Sequence, residues 1–110
     1  MTPRLTAAFW VQAYLRRLQQ EGIPAFLTAK GDETAGSVMV KLSTLDGRAE
    51  LYQRVLDGDG ERRWSVLSAG VDADVDAAVS RQRHFDPDLW VIEVEDRAGR
   101  HLLDTSGLDV

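Results

Sequence analysis

The stretch Arg81-Gln82-Arg83-His84-Phe85-Asp86-Pro87-Asp88-Leu89-Trp90-Val91-Ile92-Glu93-Val94-Glu95-Asp96 decides the fold. Pro87 holds its own φ near about −65° and denies Asp86 the right-handed helical region. A helix that carries Arg81, Arg83 and His84 in its last turn must therefore stop at or before Phe85. Leu89 to Glu95 follows as a strand, with Trp90, Ile92 and Val94 on one face and Leu89, Val91, Glu93 and Glu95 on the other. The register that keeps the acids out of a core buries the first set and turns the second toward solvent or an interface, where Arg97 or Arg100 would pair with the glutamates. Asp86 is placed to accept a bond from a backbone N–H two residues on. Asp88 can do the same at the strand start, or pair with Arg81 or Arg83.

Outward from this joint, Asp72, Asp74 and Asp76 open the preceding helix and the basic residues close it, an order that matches the macrodipole at both ends. Val75, Ala78, Val79 and Gln82 give it a narrow inner stripe, suited to lying across a sheet. At the other end of the chain, Ala8, Val11, Leu15 and Leu18 recur at helical spacing from Ala7 to Glu21, widened by Phe9, Trp10 and Tyr14. Trp10 and Tyr14 are four apart and can stack as part of the core flank. Thr6, or Thr2 with Pro3, caps the start, and Gly22 before Ile23-Pro24 stops the helix.

Between the helices lie four strands, expected as a meander. They are Ala25 to Lys30, Ser37 to Leu42, Arg48 to Leu56 and Arg62 to Leu67, the first two half-buried at most. Asp46-Gly47 suits a hairpin with positive φ at both turn centres. After Asp96-Arg97-Ala98-Gly99-Arg100, His101 to Asp104 can pair back as a short edge strand, and 105–110 is a loose tail. The glycines at 31, 36, 47, 58, 60, 70, 99 and 107 each fit a turn, and none forms a phosphate loop.

The chain has 110 residues, a net charge of −5, 44% hydrophobic and 28% charged residues and no cysteine. That is one domain, residues 1–110, with enough surface burial for a single core. Disulfides and thiolate metal sites are excluded. No stretch approaches the roughly 18 apolar residues of a membrane span and the start lacks a signal-peptide pattern, so a cytoplasmic protein is expected. Eleven of the 13 cations are Arg, yet the net charge disfavours nucleic acid.

Two acidic runs imitate calcium loops. Asp57-Gly58-Asp59-Gly60-Glu61 meets Arg62 where the sharp-turn glycine belongs and Ser68 where the bidentate glutamate belongs, and Asp72-Ala73-Asp74-Val75-Asp76 fails at Ala77 and Arg83. No metal and no cofactor is expected. Asp88 with Glu93-Val94-Glu95 has the outline of a magnesium nuclease, but Glu95 stands where that chemistry needs a lysine. His84 and His101 are the available bases, and no serine sits in a Gly-x-Ser-x-Gly elbow. His84 at a helix C-terminus reads first as a residue compensating the dipole.

Arg81-Gln82, Phe85-Asp86-Pro87-Asp88-Leu89-Trp90-Val91-Ile92-Glu93-Val94-Glu95-Asp96-Arg97 and Gly99-Arg100-His101 together resemble a small bacterial family, domain of unknown function fourteen ninety-one. So do Phe9-Trp10-Val11, Ala13-Tyr14-Leu15-Arg16-Arg17, Gly22-Ile23-Pro24-Ala25 and Gly60-Glu61-Arg62-Arg63-Trp64. The resemblance spans nearly the whole chain and implies a single domain, with no activity and no catalytic residues to carry over.

The expected architecture is α+β: a mainly antiparallel sheet of five or six strands with two helices against it, in the order αββββαβ(β), as two layers. The expected function is a non-enzymatic interaction or regulatory module that docks a protein partner or forms a homodimer. Its candidate surface is Arg81, Arg83, His84, Asp86, Asp88, Leu89 and Val91. The alternative is a small hydrolase or nuclease using His84 or His101 with Asp86, Asp88, Glu93 or Glu95. A third class is RNA binding through Arg16, Arg17, Arg62, Arg63 and Trp64. A cleft converging on a histidine and two acids favours the enzyme, and a flat apolar patch favours the module.

Overall fold

The computed structural model describes residues 5–56, 58–60 and 62–104. Its elements run α1 (Ala7–Gln20), β1 (Ala25–Ala29), β2 (Val38–Ser43), β3 (Arg48–Leu56), β4 (Arg62–Val71), α2 (Asp72–Phe85) and β5 (Trp90–Glu95). The strands form one sheet in the order β1-β5-β2-β3-β4. The last strand in sequence is thus in the interior, antiparallel to β1 and parallel to β2. The sheet is mixed, and the expected four-strand meander reduces to β2-β3-β4. The cause is the run Leu89-Trp90-Val91-Ile92, which has no polar face to offer solvent until Glu93. A strand apolar on both sides is stable between neighbours and under cover on both faces.

That cover comes from the two helices on opposite faces, which makes three layers rather than two. Val11, Tyr14 and Leu18 of α1 pack with Val40, Leu42, Trp90, Ile92 and Val94. Val75 and Ala78 of α2 pack with Met39, Leu51, Leu89 and Val91. Because β2 lies between β5 and β3, Met39 to Ser43 are all buried, where the amino-acid pattern suggested a half-exposed strand. β1 keeps the expected exposure as an edge strand.

Local chemistry explains the element ends. The Thr6 hydroxyl accepts from Phe9 N–H at 3.2 Å, and the next orphan donors of α1, Ala7 N–H and Ala8 N–H, reach the Thr34 and Glu33 carbonyls at 3.1 and 2.9 Å. The alternative cap at Thr2-Pro3 lies outside the described residues. Gly22 takes φ +71° and ends α1, and Trp10 and Tyr14 stack with centroids 4.9 Å apart. In the β2–β3 turn the positive φ angles fall on Leu45 (61°) and Gly47 (86°), not on Asp46. Asp46 instead accepts from the Thr44 hydroxyl at 2.6 Å and from Arg48 N–H at 3.2 Å, and the Thr44 bond holds its carboxyl below the usual carboxylate range.

His101 to Asp104 is not a sixth strand. Its polar groups are taken by side chains: the buried Tyr14 hydroxyl donates to the His101 carbonyl at 2.7 Å, and His101 Nδ1 accepts from Leu103 N–H at 3.0 Å. Burial, with a smaller contribution from Tyr52, pushes the Tyr14 hydroxyl well above its ordinary pKa, so it stays a donor. The expected tail at 105–110 lies outside the described residues.

The joint after α2 behaves as its residues dictate. The helix ends at Phe85, Asp86 has φ −133° and ψ 88°, and Asp86 Oδ1 accepts from Asp88 N–H at 3.1 Å. Arg83 does not pair with Asp88. It donates through Nη1 to the carbonyls of Leu89 (2.7 Å), Pro87 (3.1 Å) and Lys30 (3.5 Å). The loop 31–37 closes over this joint: Asp32 N–H reaches the Asp88 carbonyl at 3.0 Å and Trp90 Nε1–H reaches the Asp32 carbonyl at 2.7 Å. Gly31 and Gly36 are needed there for close approach and not for a turn conformation. A Cβ at Gly36 would lie 2.5 Å from the Asp88 carbonyl and 2.8 Å from Trp90 Nε1. Gly36→Ala is therefore expected to lower stability by about 1–3 kcal/mol through overpacking. An unchanged urea midpoint would show that the loop is not clamped.

Candidate functional site: a cleft at the end of the central strand

The β2–β3 ladder ends at Val40↔Tyr52, whereas β3 and β4 stay paired out to Leu56↔Arg62. The distal β3–β4 hairpin runs on past this ladder, while β2 itself starts at Val38, level with Arg54 in the same register. Thr44 N–H bonds the Arg48 carbonyl and Asp72 N–H bonds the Gly47 carbonyl. Even-numbered β3 residues thus aim their backbone groups toward the line of β2 and odd-numbered ones toward β4. By this alternation the Arg54 backbone lies on the side of β3 that faces β2, level with Val38, and both residues line one space.

That space is a cleft of about 700 Å³, inside the range of about 300–1,000 Å³ typical of ligand sites. Loop residues Thr34 to Ser37 close one end. Its two sides follow the two faces of the sheet. On the α1 side are Leu5, Trp10, Val38, Trp64, Arg54 and Arg62; on the α2 side are Met39, Gln53, Val55, Gln82, Asp86 and Leu89. Trp10 is buried and its ring lies 5.5 Å from that of Trp64, over which the Arg54 guanidinium sits at 5.3 Å. The result is an apolar floor with cations beside it on one face and hydrogen-bonding side chains on the other.

Of the residues marked out in the sequence, Asp86 and Leu89 reach this cleft. Leu89 and Val91 are each 2% exposed, beneath α2 in the core, so they do not belong to an outer surface. Their strand face is covered because α2 crosses it. Arg83 is spent on the joint, while Arg81, His84 and Asp88 are exposed around it. Phe85, not singled out beforehand, is 80% exposed and meets His84 edge-on at 5.7 Å. The cleft could not be found in the sequence, because it depends on how the loop before β2 meets the β3–β4 hairpin.

The enzyme alternative finds no converging set. Neither histidine lines the cleft, and among the described residues Asp86 is the one acid that does. His101 lies against the Tyr52 ring at 4.7 Å and is bonded within its own segment. Glu93 is not paired with Arg97 or Arg100. It faces α2, where the buried Lys41 gathers Asp76 at 2.6 Å, Asp72 at 2.8 Å and Glu93 at 3.3 Å. Arg100 is taken by Asp96 at 3.0 Å. Burial opposes the Lys41 charge, but the bonds to Asp72 and Asp76 and the field of Glu93 outweigh it and raise its pKa. Among the described residues no group of three or more His, Asp or Glu is arranged to hold a metal ion. Asp57 and Glu61 of the first acidic run lie outside those residues. For RNA, Trp64 faces Trp10, while Arg16 and Arg17 are six and seven residues further along α1, roughly 10 Å away at about 1.5 Å per residue.

Residues 5–104 match the family described as "Protein of unknown function (DUF1491)". The chain belongs to this family. A crystal structure of a DUF1491 family protein from Caulobacter crescentus CB15 is 41% identical, with 92% of this chain and 96% of that chain covered and a TM-score of 0.84. An NMR structure of a DUF1491 family protein from the same organism is 40% identical, covering 94% and 96%, with a TM-score of 0.81. A solution structure from A. tumefaciens is 35% identical over 84% of this chain and 86% of that one, with a TM-score of 0.71. No curated protein matches the chain. Among the described residues no helix is long and apolar enough to cross a membrane. The family match thus supplies a fold and no chemistry, and the DUF1491 cleft has to be interpreted from its own residues.

The Lys41 cluster fixes the N-terminal end of α2 to the sheet, away from that cleft, and it can be tested by itself. Asp72→Asn and Asp76→Asn are each expected to cost about 1–2 kcal/mol. The double variant should cost more than their sum, because the buried ammonium is left with Glu93 alone. Additive losses in urea denaturation would mean that the three carboxylates act independently.

Proposed function

We propose that this protein is a cytoplasmic interaction module that docks a segment of a partner protein in the cleft. The observation that carries the proposal is the lining of that cleft: the Trp10–Trp64 floor on one side and Gln53, Gln82 and Asp86 on the other. Aromatic rings at the base of a cleft give a docked segment apolar contact area, and the polar side chains around them give it orientation.

The outer edges of the sheet are poorer candidates. β1 is irregular between Leu27 and Ala29, and β4 carries an extra residue at the shift opposite Leu51 and Tyr52. Bulges at edges disfavour further pairing, and Arg62 and Arg63 add charge to the β4 edge. The absence of a histidine from the cleft supports binding over hydrolysis, since the usual general base has no place beside a bound segment.

Peptides selected on the folded protein from a displayed library should bind in the cleft and quench tryptophan fluorescence. Trp64→Ala is expected to weaken a selected peptide about tenfold or more. An unchanged affinity in a variant that still folds would overturn the proposal.

A further inference from the structure

We infer that the segment taken by the cleft is the Phe85 end of α2 from a second copy of the chain, each copy setting its Phe85 ring into the other's cleft. This rests on the cleft-docking proposal and goes beyond it by naming the partner. Phe85 is 80% exposed, whereas the other exposed large apolar side chains among the described residues run from 38% to 57%. Its ring meets that of His84 edge-on at 5.7 Å and is not part of the lining of its own cleft. Gln82 and Asp86, on either side of it in the chain, do line the cleft. Residues three apart on a helix are surface neighbours, so Phe85 stands next to Gln82 at the mouth.

A projecting aromatic side chain and an aromatic-floored cleft thus lie side by side on one face of the molecule. A two-fold axis between two copies of that face sets each ring over the other's cleft in a single contact, which closes the pair. The charges of the segment agree with this arrangement. The arginines come first, at 81 and 83, and the aspartates last, at 86 and 88. Two antiparallel copies set the exposed Arg81 of each toward the exposed Asp88 of the other. With His84 neutral these four charges cancel, so the chain's net charge of −5 is not concentrated at the contact. Each ring can bury about 150–250 Å² and covers a similar area of cleft wall. Two insertions come to roughly 600–1,000 Å², below the roughly 1,200 Å² at which stable interfaces begin. The dimer is therefore weak and depends on concentration.

Sedimentation velocity of the full chain over a rising concentration series tests this. Wild type is expected to pass from monomer to dimer. Phe85→Ala should weaken dimerisation roughly tenfold or more, and so should Leu5→Glu on the cleft side. Both side chains are exposed, so the core is spared, and a circular-dichroism melt confirms that each variant folds. The deciding sample is a mixture of the two variants. The Phe85→Ala chain keeps an intact cleft and the Leu5→Glu chain an intact ring, so the mixed dimer regains one of the two insertions and should form more readily than either variant alone. A wild type that stays monomeric while selected library peptides still bind the cleft, a dimer unchanged by Phe85→Ala, or a mixture no stronger than its components refutes self-docking and leaves cleft docking standing. A wild type that neither dimerises nor binds any library peptide counts against cleft docking itself.

Discussion

Strand β5 is apolar on both faces, and the rest of the molecule follows from the need to cover it. Trp90, Ile92 and Val94 on one side and Leu89 and Val91 on the other cannot be buried by a single helix layer. Two helices are required, one on each face, and the strand must sit between β1 and β2. At roughly 1.5–3 kcal/mol for each buried large apolar side chain, these five residues dominate the energetics of the centre. Every other element either packs on β5 or extends the sheet from it.

The entry to β5 is correspondingly over-determined. Pro87 fixes the direction, Asp86 closes the turn, and one guanidinium nitrogen of Arg83 gathers three carbonyls from the joint and the preceding loop. Trp90 then holds the loop 31–37 through its indole N–H, with Gly31 and Gly36 permitting contact that no side chain would allow. This loop leads into β2 at Val38, and the β3–β4 hairpin continues past it to Leu56↔Arg62. The cleft lies among that loop, the start of β2 and the hairpin. Its wall is thus built from the same residues that anchor the core, which gives a binding site on a rigid frame.

Much of the fold was legible because local chemistry and global packing agreed. Thr6, Gly22, the Asp-rich start of α2 and the Asp86-Pro87 stop each did what its side chain dictates. The errors arose where pairing partners matter. Alternation in Leu89 to Glu95 suggested an acidic outer face, but Glu93 points at Lys41 beneath α2, and a lone lysine in a strand gave no warning that it would collect three acids. The His101 segment looked like a strand because its bonding to Tyr14 spans 87 residues. Of the candidate surface, Asp86 and Leu89 line the cleft, while Leu89 and Val91 are buried beneath α2, since a sequence does not say which strand face a distant helix will cross. The cleft had no motif at all: strand ends are set by register, and register by contacts far apart in the chain.

The central claim is that the cleft beside the start of β2 binds a segment of another protein. NMR chemical-shift mapping tests it most directly, because Trp10 and Trp64 each carry an indole N–H that reports on the cleft. With a selected peptide bound, the largest shifts are predicted at these two indoles and at the amides of Thr34 to Met39 and Gln53 to Val55. Tight binding with the largest shifts along the β1 or β4 edge, and none at the two indoles, would contradict the account.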